Sequence, residues 1–173
     1  DRKHYQTRIK PIYDKLYGTN VSLRDMPSTS VYGFQLWSTK LVRYKQKLGL
    51  PLGKKLHIKI PKVFTKNKKL KSLVIRGLFD TDGCFDLSFK NNKLYPTLEI
   101  KTISMRLGKQ LKKILAELGF RVTQYTYHSK KGNRLPYIAS TMRGVEQANK
   151  FMRLIRPQNE NHLKKYEKLC KSL

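Results

Sequence analysis

The sequence predicts an α+β fold in which helices alternate with antiparallel β-hairpins, and three observations carry that reading. Apolar residues recur at helical spacing over residues 71–79, where Leu73, Ile75, Leu78 and Phe79 suit one buried face. Phe85, Leu87 and Phe89 then alternate with Asp86, Ser88 and Lys90, the pattern of a half-buried strand. Finally, the order of elements recurs at a constant offset of 102 residues, from Ile12 to Ile114 and from Ser38 to Ser140.

Taken in order, residues 12–16 end a helix, residues 19–23 and 32–37 read as strands, and residues 40–48 form the next helix. The second copy repeats this with a helix end at 114–118, strands at 120–127 and 135–139, and a helix at 145–154. Ahead of it stands a front portion that the first copy lacks. The helix at 71–79 runs into Asp80-Thr81-Asp82-Gly83, where Gly83 is expected to stop it at a positive φ. A hairpin comes next, turning at Asn91-Asn92 and returning over residues 97–103. Subtracting the offset places the first copy's acidic turn before residue 1, so the first repeat is expected to be incomplete. The expected division is 1–60 for the rest of an N-terminal half, 61–70 for a linker, and 71–173 for a C-terminal half.

Charge narrows the function classes. Lys and Arg number 38 against 11 Asp and Glu in 173 residues, a formal net charge of +27. A polyanion relieves the self-repulsion of such a chain and releases counterions on binding, so a nucleic acid is the expected partner. Composition suits RNA as well as DNA. The cations spread along the chain and are not gathered on one amphipathic helix or tail, and no stretch approaches the length of an apolar span, so no membrane role is expected. Two distant cysteines, Cys84 and Cys170, fit neither a disulfide scaffold nor a zinc site. They imply a reducing, intracellular setting. The tyrosines and Trp37 are expected to pack in the core and sheets, and Cys84 to be a small packing residue.

The stretch Ile75-Arg76-Gly77-Leu78-Phe79-Asp80-Thr81-Asp82-Gly83 resembles the second motif of the two-motif, monomeric LAGLIDADG homing endonucleases. Leu48-Gly49-Leu50-Pro51, Gly53-Lys54-Lys55 and Ile60-Pro61 are similar to that family's linker, and Asn159-Glu160-Asn161-His162-Leu163-Lys164-Lys165 to its closing segment, with Glu160 where the family has proline. The resemblance implies the αββαββα pseudo-two-fold repeat, with saddle-shaped antiparallel sheets over the major groove of a long asymmetric duplex site. It also implies site-specific double-strand cleavage with Mg²⁺ (Mn²⁺ serving similarly, Ca²⁺ in a non-cleaving complex), by a protein encoded within an intron or intein-like element. A second chain could supply the missing motif. The same fold also serves as RNA-binding maturases and non-catalytic regulators.

Phosphodiester hydrolysis needs an activated water, neutralised charge and help for the leaving oxygen, which carboxylate-held divalent metal and nearby cations provide. By resemblance Asp82 is the metal ligand and catalytic carboxylate, while Gly77 lets two motif helices approach. Asp80 reads as structural. Lys54 and Arg156 are separated by the same 102-residue offset and are the candidate catalytic cations, with Lys55 the alternative to Lys54. Thr102 or Lys101 is placed to order the water shell. The polar hairpin residues Asp86, Ser88, Lys90, Asn92, Thr97, Glu99 and Lys101 are candidate DNA contacts, since two-stranded ribbons read the major groove. Asp86 and Glu99 either accept from base edges or lie away from the nucleic acid. Arg24 and Gln124 on third strands, and Lys130, Lys131 and Arg134 on a loop, complete the expected interface, the loop cations as phosphate contacts.

Overall fold

A computed structural model of the chain describes residues 2–53, 55–90, 92–128 and 135–173, with the backbone alone for Ser28 and Lys55. The chain divides into two units, Asp1–Arg43 and Tyr44–Leu173, the boundary falling inside a helix. The second unit therefore begins well before the expected boundary at 60. The reason is that Ile60 is buried in its core, Ser104 Oγ donates to the Ile58 carbonyl at 2.8 Å, and the Gln110 carboxamide bonds both the N–H and the carbonyl of Ile60 at 2.8 Å.

The first unit opens with α1 (Arg2–His4), a π-helical turn (Tyr5–Ile9) and α2 (Lys10–Tyr17), which stops at Gly18 with φ 61°. Asp14 then organises residues 19–23. Its carboxylate accepts from Lys10 Nζ at 2.6 Å, Thr19 Oγ1 at 3.0 Å and the Val21 N–H at 2.9 Å. The Lys10 hydrogen bond, above all, holds the Asp14 carboxyl below its ordinary range. Because Val21 spends its donor on a side chain, residues 19–23 form no ladder, and the strand expected there is absent. The pairing observed is shorter and later: β1 (Arg24–Met26) runs antiparallel to β2 (Val31–Gly33), joined through a 3-10 turn at Pro27–Thr29. After β2 the chain leaves the strand, Trp37 stands 90% exposed, and α3 (Thr39–Lys47) begins. Ser38 therefore caps a helix through the Leu41 N–H, whereas its counterpart Ser140 lies within a strand.

The second unit delivers the element order that the resemblance implied. Helix α4 (Lys68–Asp82) is capped by Asn67 Oδ1, which accepts from the Leu70 N–H at 2.9 Å, and it buries Ser72, Ile75, Phe79 and Asp80. Strands β3 (Gly83–Lys90) and β4 (Lys93–Thr102) form a hairpin closed by the Lys90–Lys93 pair, with Asn92 at φ 60° in the turn. Helix α5 (Met105–Glu117), strands β5 (Thr123–Tyr127) and β6 (Tyr137–Arg143), and helices α6 (Val145–Leu154) and α7 (Glu160–Cys170) complete the unit. The four strands pair antiparallel in the order β3-β4-β6-β5. One sheet face, with Phe85, Leu98, Ile100 and Met142, packs on helix residues Ile75, Phe79, Leu111, Leu115 and Phe151. The opposite face, among the described residues, carries no helix-packed apolar row. Among the described residues no helix is long and apolar enough to cross a membrane.

Gly83 sits at φ −81°, extended, so its role is not the positive φ expected from the sequence. Its role is proximity. A Cβ there would lie 2.5 Å from the Phe79 carbonyl oxygen and 2.7 Å from Phe79 Cα, so the α4–β3 junction admits only hydrogen. Gly83→Ala is expected to destabilise the fold by about 1–3 kcal/mol through forced backbone displacement, measured by urea unfolding; a change within error would remove this account of the junction.

Candidate nucleic-acid interface and metal site

The last turn of α4 presents two carboxylates in opposite environments. Asp80 is buried, and its oxygens accept from the Gln158 N–H at 2.9 and 3.0 Å and the Asn159 N–H at 3.2 Å. The surrounding bonds run the same way. Asn159 Nδ2 donates to the Asp80 carbonyl at 2.8 Å, Arg76 Nε donates to the Ile155 carbonyl at 2.7 Å, and His162 Nε2 lies 3.1 Å from the Phe79 carbonyl. Backbone groups that a helix end and a loop would leave unmatched are thus paired with side chains that bridge the two. The His162 ring also packs on Phe79, centroids 4.5 Å apart, so this histidine is structural. Asp80 fastens the chain after α6 onto α4.

Asp82, two residues later, is exposed, with Thr81 Oγ1 at 3.2 Å from its Oδ2. It lines a groove of about 590 Å³ whose other walls include Lys59, Lys101, Thr102, Gly53 and Leu78. A hard divalent cation binds oxygen donors, and Mg²⁺ is commonly held by one or two carboxylates together with water and substrate phosphate. Asp82 fits one ligand of such a site. Among the described residues no group of three His, Cys, Asp or Glu converges, so the remaining ligands would come from solvent, phosphate or a further carboxylate. Lys101 and Thr102, the two candidates for ordering water, do share this groove.

The sheet face away from the helices gathers most of the hairpin residues singled out in the sequence. Across it run Asp86, Thr97 and Arg143, then Cys84, Glu99, Thr141 and Thr123, then Lys101, Ala139 and Tyr125. Ser88, whose Oγ lies 3.3 Å from the Tyr95 carbonyl, and Lys90, whose Nζ lies 5.0 Å from the Tyr95 ring centroid, extend the face toward the exposed turn at Asn92. Cys84 is exposed on this face and is not a packing residue. Arg143 and Tyr125 are exposed contact candidates that the sequence reading misses, whereas Thr141 between them is buried and donates to the Thr123 carbonyl at 3.2 Å. The signal is present: extending the alternation of 135–139 by four residues puts Thr141 and Arg143 on the face of Ala139.

Other candidates lie elsewhere. Gln124 pairs in register with Ser140 on the helix-covered face, and its Nε2 donates to the Ser140 hydroxyl and to the Gly108 carbonyl, each at 2.8 Å. Its alternation places it opposite the open face, so it holds α5 to the sheet and does not join the contact residues. Arg24, in the first unit, is exposed and bonds Gln35 Oε1 at 3.0 Å. Arg156 is exposed at φ 55° with its Nε 3.2 Å from the Arg153 carbonyl, and it does not line the Asp82 groove. Lys54, Lys130, Lys131 and Arg134 lie outside the described residues. Gly77 sits on an exposed side of α4 where an added Cβ would meet nothing within 4 Å.

Residues 69–156, α4 through α6 in large part, match the family description "LAGLIDADG-like domain". A stretch of 100 residues, 57% of this chain, is 29% identical to the ribonucleoside-diphosphate reductase NrdEB subunit alpha of Bacillus subtilis (strain 168), and equally to that of Bacillus phage SPbeta. The match spans only 9% of the length of those relatives. Among solved structures, the LAGLIDADG meganuclease I-AabMI bound to uncleaved DNA is similar at 16% identity and a TM-score of 0.32, over 55% of this chain and 29% of that one. With the family match covering just over half of its residues, and with the αββαββα order observed from α4 to α6, the chain belongs to the LAGLIDADG family.

Proposed function

We propose that this chain binds duplex DNA across the open face of its four-stranded sheet and contributes Asp82 to metal-dependent phosphodiester cleavage at a long, asymmetric site. The observation that carries the reading is the division of labour at the end of α4. Asp80 is buried and spent on backbone donors, whereas Asp82 is exposed beside a groove that also holds Lys101 and Thr102. A bound Mg²⁺ or Mn²⁺ would supply charge neutralisation at the phosphate and an activated water, with Ca²⁺ giving a non-cleaving complex. Asp82 would hold that cation as one of its oxygen ligands. Lys101, paired with Glu99, lines the same groove, the strand residues orient the duplex, and the overall +27 draws it in.

Cutting both strands requires a second acidic motif helix, which a partner chain could supply, and the open side of α4 at Gly77 is where it would pack. The reductase match, confined to 9% of those relatives, supports an element carried inside a host reading frame, intein-like or intron-encoded. Host sequence flanking this segment in its parent gene would bear that out, and its absence would count against it. Reductase chemistry is not proposed for this chain.

Binding of duplex DNA and of structured RNA should be compared at matched salt, with a Mg²⁺-dependent strand-cutting assay alongside. The reading predicts tighter binding of the duplex, falling steeply with salt. Preference for the RNA would instead favour a maturase of the same fold, and salt-independent binding of either would remove the proposed interface.

A further inference from the structure

On the open sheet face, an acidic residue sits where a DNA-reading surface would be expected to be basic. Glu99 lies mid-strand in β4, its side chain only 13% exposed, and both of its oxygens are engaged. Lys101 Nζ lies 2.8 Å from Oε1, and the Tyr125 hydroxyl donates to Oε2. The register explains how three residues on two non-adjacent strands meet. Between Lys101 and Tyr125 the intervening strand places Ala139, too small to separate them. Lys101 is seated further by the Tyr137 ring, 5.6 Å from Nζ, which is itself stacked on Tyr127. The hydrogen bond to Glu99 is the main cause raising both the Lys101 ammonium and the Tyr125 hydroxyl above their ordinary pKa values.

A carboxylate that reads cytosine must offer a free oxygen toward the base edge. Glu99 faces two protein donors and is largely covered. Meanwhile the described strand residues of the open face carry Lys90, Lys93, Lys101 and Arg143 against Asp86 and Glu99, and both carboxylates stand among the base-reading positions of a chain of net charge +27. Resting on the DNA-binding reading above, we infer that Glu99 is a specificity-determining positioning residue. It holds Lys101 and Tyr125 as one unit and mutes indiscriminate phosphate attraction at the centre of the face that reads bases. Affinity for arbitrary sequence is kept low there, so that base contacts decide.

Removing the Glu99 charge should therefore strengthen binding to arbitrary sequence. Glu99→Gln keeps an acceptor oxygen but frees the Lys101 charge. Affinity for a random-sequence duplex should rise several-fold, and the plot of log affinity against log salt should steepen by about one unit, one further phosphate neutralised. The double variant Glu99→Gln with Lys101→Met should return the slope to the wild-type value. A residue that merely supports the fold would not steepen the slope. Unchanged or weaker binding by a folded Glu99→Gln protein overturns the inference. If the wild-type chain shows no salt-dependent duplex binding, the DNA reading itself fails. The pairing can then still be judged without DNA by ¹³C-tyrosine NMR, in which Glu99→Gln should lower the Tyr125 titration midpoint; no movement overturns it.

Discussion

Asp80→Ala is expected to cost about 3 kcal/mol of folding stability, because it strips a buried charged acceptor from the Gln158 and Asn159 N–H groups and leaves those donors unmatched. The loss should spread, since the same carboxylate pins the chain that also holds Arg76 through the Ile155 carbonyl and His162 against Phe79. Asp80→Asn should cost less, because its amide oxygen in the Oδ1 position still accepts from both N–H groups while its Nδ2 is set against the Gln158 N–H. Urea denaturation gives the number. A cost below about 1 kcal/mol would mean that the α6–α7 connection is anchored elsewhere, by Asn159 or the Phe79–Phe151 contact at 4.7 Å.

Asp82→Asn is expected to do the reverse: no measurable change in stability, and loss of metal-dependent strand cutting by at least about 100-fold in whatever assembly proves active. Among the described residues the exposed carboxylate has only the Thr81 hydroxyl as a short-range hydrogen-bond partner, so its removal leaves no buried donor orphaned. Duplex affinity without metal should be unchanged or slightly tighter, because a negative charge beside the phosphates has gone. Retained cutting by Asp82→Asn would take the catalytic role away from this residue.

The two aspartates are separable in the sequence only through the motif pattern; spacing alone puts two acids near one helix end and says nothing about which is buried. The second unit is legible because its periodicities are strong. Phe85, Leu87 and Phe89 alternate, Asn91-Asn92 marks a tight turn, and the observed β3–β4 hairpin closes there. The first unit is not. Residues 19–23 look like a strand by composition, but the Asp14 carboxylate captures the Val21 N–H, a side chain competing with the ladder that local pattern does not reveal. Gly83 reads as a positive-φ stop because glycine commonly ends helices that way; its actual constraint is the Phe79 backbone, a contact visible only in three dimensions. Gln124 falls on the wrong face in the sequence reading, since a strand's existence does not fix its register against Ser140. Trp37 shows the limit of residue type as a guide to burial, standing 90% exposed.

The central claim is that Asp82, and not its neighbour Asp80, presents a metal-ligating carboxylate to bound DNA. Titrating Mn²⁺ into the chain–duplex complex and following the bound ion by electron paramagnetic resonance tests it directly. The account predicts a Mn²⁺ population that appears with the wild-type complex and disappears in Asp82→Asn while the duplex stays bound. Equal Mn²⁺ binding by the two complexes would contradict it.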